Sequence, residues 1–97
     1  MVEVRQTAVF RDWLDSLKDR RAQEKIAQRI VRVQAGLLGD AKVFEGIGEL
    51  RIDHGPGYRV YFMQRGAVVI MLLCGGDKGS QDRDIKRAKA LARELEK

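Results

Sequence analysis

Val2 and Val4 alternate with Glu3 and Arg5, and this period of two predicts a short, half-buried strand. Thr7 follows, a residue whose hydroxyl can accept a first-turn N–H. Phe10, Trp13, Leu14 and Leu17 then recur at helical spacing, so a capped amphipathic helix starts there. Beyond the charged break "KDRR", a second helix places Ala22, Ile26, Ile30, Val33 and Leu37 on one face and Lys25, Arg29 and Arg32 on the other. Gly36 and Gly39 mark its end. The run from Lys42 to Gly48 has no clear period and reads as irregular.

The second half alternates more strictly. In "ELRID", Leu50 and Ile52 fall on one side and Glu49, Arg51 and Asp53 on the other. "HGPG" breaks this strand with turn chemistry. "YRVYFMQR" returns with Tyr58, Val60 and Phe62 on one face and Arg59, Tyr61 and Met63 on the other. Arg65 and Gly66 make a tight reversal, and "AVVIMLLC" is apolar on both faces, as expected of a strand covered on both sides. A last helix runs from about Ser80, with Ile85, Ala88, Ala92 and Leu95 as its buried stripe and Lys86, Arg87, Lys89 and Arg93 outside. The expected fold is α+β: an N-terminal strand, two helices, a three-stranded antiparallel meander and a C-terminal helix.

The chain's 97 residues suit a single domain spanning residues 1–97, with one modest core. Nineteen basic against fourteen acidic side chains give a net charge of +5, which favours an anionic partner. Cys74 is the one cysteine, so an internal disulfide or a multi-cysteine metal site is excluded and a reducing compartment fits. "MVEVRQTAVF" carries charges close to Met1 and no long apolar segment, so neither a signal peptide nor a membrane span is expected, and the location expected is cytoplasmic.

Three groups of residues bear on chemistry. "GGDKGS" follows a strand and precedes a helix, as nucleotide loops do, but it lacks the Walker spacer and a parallel βαβ frame. A glycine turn ending the strand, with Ser80 as the helix N-cap, accounts for everything in it except Lys78. Arg51, Arg59 and Tyr61 are expected to project from one face of adjoining strands. Two like charges there repel each other unless an anion joins them, and an Arg fork matches phosphate oxygens. The alternative is that one arginine pairs with Glu49 or Asp53. His54, the lone histidine, can serve as an acid or base but completes no triad or zinc motif.

"GIGELRIDHGPGYRVYF" followed by "VVIMLLCGGDKGSQDRDIKRAK" resembles the addiction-module killer proteins of the RelE/HigB-like toxin superfamily, in its phage-derived HigB-type branch. The likeness covers nearly the whole chain and rests on ELRI, GPGYRVYF and LLCGGDK in that order. It implies a microbial RNase-type fold and an endoribonuclease, an mRNA interferase, that cuts mRNA on translating ribosomes without a metal or other cofactor. It also implies a helix-turn-helix antitoxin as partner, through which alone operator DNA is contacted.

By the same resemblance, Arg59 stands at the arginine that contacts the scissile phosphate, Lys78 at a second basic catalytic position and Arg51 at a basic position on the preceding strand. Lys42 is a further aid in binding RNA phosphate. Glu49 departs from relatives that carry lysine there, and the last helix lacks their tyrosine. Tyr61 or His54 is the stand-in. Two other readings remain: an inactive toxin-like corepressor bound to its antitoxin, and a general RNA-binding domain. The last needs exposed stacking aromatics, of which only Tyr61 qualifies.

Overall fold

Thr7 fixes the first corner of the molecule. In the computed structural model, which describes residues 2–67 and 69–96, β1 (Glu3–Gln6) leads into α1 (Ala8–Ser16). The Thr7 hydroxyl caps that helix by accepting from the Phe10 N–H at 3.0 Å. It also donates to the Leu73 carbonyl at 2.6 Å, and the Thr7 N–H donates to the Leu72 carbonyl at 3.0 Å. One residue therefore caps a helix and stitches its start to a strand 66 positions away.

Helix α2 (Arg20–Gln34) is capped by Asp19, whose carboxylate accepts from the Ala22 N–H at 3.2 Å. It ends earlier than its apolar stripe predicts. Gly36 takes φ +88°, its N–H donates to the Val33 carbonyl, and the Leu37 N–H donates to the Arg32 carbonyl. This paired closure is a Schellman motif and turns the chain away, so Leu37 is 63% exposed while Leu38 packs on the core.

The sheet has five strands, the expected N-terminal strand and three-stranded meander plus one more. The run read as irregular contains β2 (Ala41–Phe44), which pairs antiparallel with β3 (Ile47–Ile52). Glu45 and Gly46 join them with φ values of +49° and +85°, the two left-handed residues that a two-residue hairpin requires. Lys89 of the last helix forms an ion pair with Glu45 at this turn. β4 (Tyr58–Arg65) and β5 (Val69–Asp77) follow, and the order is β1-β5-β4-β3-β2, with β1 parallel to β5 and the other pairs antiparallel. Val68, read as part of the same strand as β5, lies outside the described residues.

Apolar side chains fill both faces. Phe10 of α1 and Ile26 and Ile30 of α2 pack on Leu50, Val60, Phe62 and Leu72 of the sheet. Under α3 (Gln81–Leu95) lie Ile47, Tyr61, Met63, Leu73 and Cys74, facing Ala88 and Ala92. The β4–β5 register shifts between Tyr61 and Phe62, which pair with Cys74 and Leu72, so Leu73 is the extra residue of a bulge. That bulge lets consecutive Leu73 and Cys74 join the same cluster. Burial pushes the Cys74 thiol up to about 12, where it is inert. Among the described residues no helix is long and apolar enough to cross a membrane.

Gly75 and Gly76 do not end β5; the strand continues through both to Asp77. Their role is close approach. A Cβ at Gly75 would overlap the Trp13 ring, and one at Gly76 would overlap the Asp84 carboxylate. Gly75→Ala is therefore expected to destabilise the fold by about 1–3 kcal/mol through overpacking against a rigid indole. Thermal unfolding checks this, and an unchanged Tm would show that Trp13 does not press on the strand.

Candidate nucleic-acid interface

Arg51 and Arg59 are directly opposed in the β3–β4 register, so the pleat sends both side chains to the same face. The loop between these strands reverses through Gly55 and Gly57, at φ +55° and +82°. A 3-10 turn (Lys78–Ser80) after β5 then brings Lys78 against it. A Cβ built on Gly57 would sit 3.5 Å from Lys78 Cβ and 3.8 Å from Arg59 Nη1, which places the two basic residues around one glycine backbone. The result is a groove of about 400 Å³ whose charged lining is Asp40, Arg51, Asp53, Arg59 and Lys78.

Each cation is held differently. Arg51 Nε and Nη2 donate to the same Asp40 oxygen at 3.1 and 2.8 Å, so its partner is neither Glu49 nor Asp53. Arg59, 14% exposed, lies 3.9 Å through Nε from Glu49 Oε1, beyond hydrogen-bond range. That Nε is buried without a hydrogen-bond partner among the described residues. Glu49, 2% exposed, takes its close hydrogen bond instead from Gln81 Nε2 at 2.8 Å. Lys78 is exposed and forms no ion pair among the described residues.

The turn carrying Lys78 is closed by a residue other than the one expected. Asp77, not Ser80, is the cap: its carboxylate accepts from the Gly79 and Ser80 N–H groups at 2.8 and 3.1 Å. The Ser80 hydroxyl accepts from the Asp77 N–H at 3.2 Å and bonds the buried Asp84. Ser80 stands at the N-cap of α3 without a side-chain capping bond to that helix.

Three expected site residues lie elsewhere. Tyr61 does share the face of Arg51 and Arg59, but α3 covers it completely, so it is no exposed stacking platform. Among the described residues its hydroxyl has no hydrogen-bond partner, and burial, then the Glu49 and Asp84 carboxylates, raise its pKa far above the usual phenol value. His54 turns from the groove to hydrogen-bond Asp19 at 2.9 Å, a contact that lowers the Asp19 pKa. Lys42 lies opposite Glu49 on the edge strand, with its ammonium 5.5 Å from the centre of the Phe44 ring, and does not line the groove.

Arg29, expected on the outer face of α2, is half-buried and acts as a brace. Its guanidinium donates to the carbonyls of Leu38, Arg51 and Asp40 at 2.9, 2.8 and 2.6 Å. Burial lowers its pKa from the ordinary value. These bonds set the loop that offers Asp40 to Arg51, and the one sequence signal for them is Gly39, where a Cβ would come within 2.9 Å of Arg29 Nε. A second cleft of about 240 Å³, lined by Lys25, Gln28, Arg29 and Arg32, meets the groove at Ile52 and Asp53. No three His, Cys, Asp or Glu side chains among the described residues are grouped to hold a metal ion.

The buried Glu49 brace makes a prediction. Glu49→Ala leaves the Arg59 charge and the Gln81 amide without their buried partner, so unfolding free energy is expected to fall by about 3 kcal/mol. Urea unfolding followed by the single tryptophan, Trp13, measures this; a change below about 0.5 kcal/mol would mean the carboxylate holds nothing in place.

No family model matches the chain. An uncharacterised protein of Haemophilus influenzae is 54% identical to it over 95 residues, 97% of this chain and 96% of that one. An alignment of that extent takes in both helical layers, the sheet and the groove. The chain belongs to the same family as this Haemophilus influenzae protein.

Proposed function

We propose that this protein is the toxin of a type II toxin–antitoxin pair, an endoribonuclease that cuts mRNA on translating ribosomes and so stops translation in the cytoplasm. The observation that carries the reading is the convergence of Arg51, Arg59 and Lys78, from three separate segments, on one groove. Two helices on one face of a largely antiparallel sheet support the RelE-type side of it. The proposed partners are a helix-turn-helix antitoxin, which contacts operator DNA for the pair, and mRNA in the ribosome.

The chemistry is transfer within RNA and uses no metal. The 2′-oxygen attacks the adjacent phosphorus, the bond to the 5′-oxygen breaks, and the products carry a 2′,3′-cyclic phosphate and a 5′-hydroxyl. Negative charge builds on the phosphorane oxygens, where a guanidinium fork has its largest effect. Arg59 supplies it, already oriented by the contact behind its Nε. Lys78, exposed and unpaired among the described residues, is the acid that protonates the leaving oxygen. Arg51 contributes less, because Asp40 occupies two of its N–H groups.

One observation favours a second reading, an inactive corepressor. The two side chains expected to replace the relatives' tyrosine are out of position, Tyr61 being sealed and His54 turned away. Induced expression separates the two. Arrest of growth by the wild type, lost in Arg59→Ala and in Lys78→Ala with circular dichroism unchanged, is expected, with cleavage falling on the order of 10²-fold or more in each. Absence of arrest by the wild type would select the corepressor, and full toxicity of both variants would remove the groove from the mechanism.

A further inference from the structure

Transfer of the 2′-hydroxyl proton needs an acceptor, and the groove narrows the choice to one. Arg51, Arg59 and Lys78 present N–H donors and no acceptor. Tyr61 is sealed beneath α3 and His54 faces Asp19. Asp40 accepts both N–H bonds of Arg51 on Oδ1, which ties its carboxylate to that guanidinium. Asp53 is left: an exposed carboxylate, just past the end of β3, with no ion pair or side-chain hydrogen bond among the described residues. It lies where the groove meets the basic cleft on α2, so a strand threading from one to the other passes it. The charged groups facing it are Asp40, Arg51, Arg59 and Lys78 on the groove side and Lys25, Arg29 and Arg32 on the α2 side.

We propose that Asp53 is the general base of the groove, taking the proton from the attacking 2′-hydroxyl. The step balances: the 2′-oxygen bonds to phosphorus as its proton passes to the Asp53 carboxylate, and the 5′-oxygen departs with a proton from Lys78. Exchange with water restores both groups. The inference rests on the endoribonuclease reading, and it explains a feature that binding alone does not. A free carboxylate in an anion-binding groove repels the ligand it faces, so its presence there has a use in the reaction.

That repulsion gives the test its opposed signs. Wild type, Asp53→Asn, Asp53→Glu and Arg59→Ala are compared in single-turnover cleavage of a short mRNA in a purified translation mixture. Affinity is measured separately on an oligonucleotide with a 2′-deoxy residue at the cleavage position. Asp53→Asn is expected to slow cleavage by roughly 10²- to 10⁴-fold while binding the deoxy probe as tightly as wild type or more tightly. Asp53→Glu, which keeps a carboxylate, is expected to recover part of the rate. Cleavage by Asp53→Asn at or above the wild-type rate, or a loss of rate matched by an equal loss of affinity, overturns the base. If wild type does not cleave, the endoribonuclease reading fails and the base fails with it; if Arg59→Ala cleaves as wild type does, the groove is not the site and the base fails while the endoribonuclease reading stands.

Discussion

Glu49 is a carboxylate held at 2% exposure between β3, β4 and the start of α3, and a charge so placed must be compensated or the fold loses several kcal/mol. Gln81, the first residue of α3, gives it a hydrogen bond at 2.8 Å, and Arg59 stands 3.9 Å away with its charge. Satisfying Glu49 therefore fixes where α3 begins and where the Arg59 stem lies. Tyr61, directly opposite Glu49 in the register, is sealed by the same helix. α3 then meets the sheet through buried Ala88 and Ala92, with Ile85, Leu91 and Leu95 packed beside them.

From that brace the groove takes its character. Arg59 approaches it with Nε buried and Nη1 beside Gly57, the glycine that Lys78 also flanks. Arg51 is steadied by Asp40, which Arg29 presents through its grip on the 38–40 loop. Three cations face two carboxylates, so the local excess of positive charge is small. Such a groove suits one phosphodiester gripped by directed N–H groups better than a long duplex held by field alone. The basic cleft along α2 extends the positive surface in one direction, past Asp53.

Local signals in the sequence were enough for the helices, their stripes and the pairing of Arg51 with Arg59 on one face, because periodicity and cross-strand register are short-range properties. Three failures have identifiable physical causes. Alternation assigned Tyr61 to the correct face but is blind to a helix arriving from twenty residues on. Gly75 and Gly76 resemble a turn until the Trp13 ring and the Asp84 carboxylate are seen against them. β2 was hidden by Glu45, whose left-handed backbone is uncommon for a side chain that is not Gly, Asn or Asp. Of the groove itself, Lys78 and the arginines were legible, whereas Asp40, Arg29 and the Gln81 brace arise from tertiary contacts with no spacing rule behind them.

The most direct measurement is the chemistry of RNA ends formed after the protein is induced in cells. A groove that acts through Arg59 and Lys78 without a metal predicts discrete cuts in mRNA, each leaving a 2′,3′-cyclic phosphate upstream and a 5′-hydroxyl downstream. New ends that carry a 3′-hydroxyl and a 5′-phosphate, or no new ends at all, would contradict it.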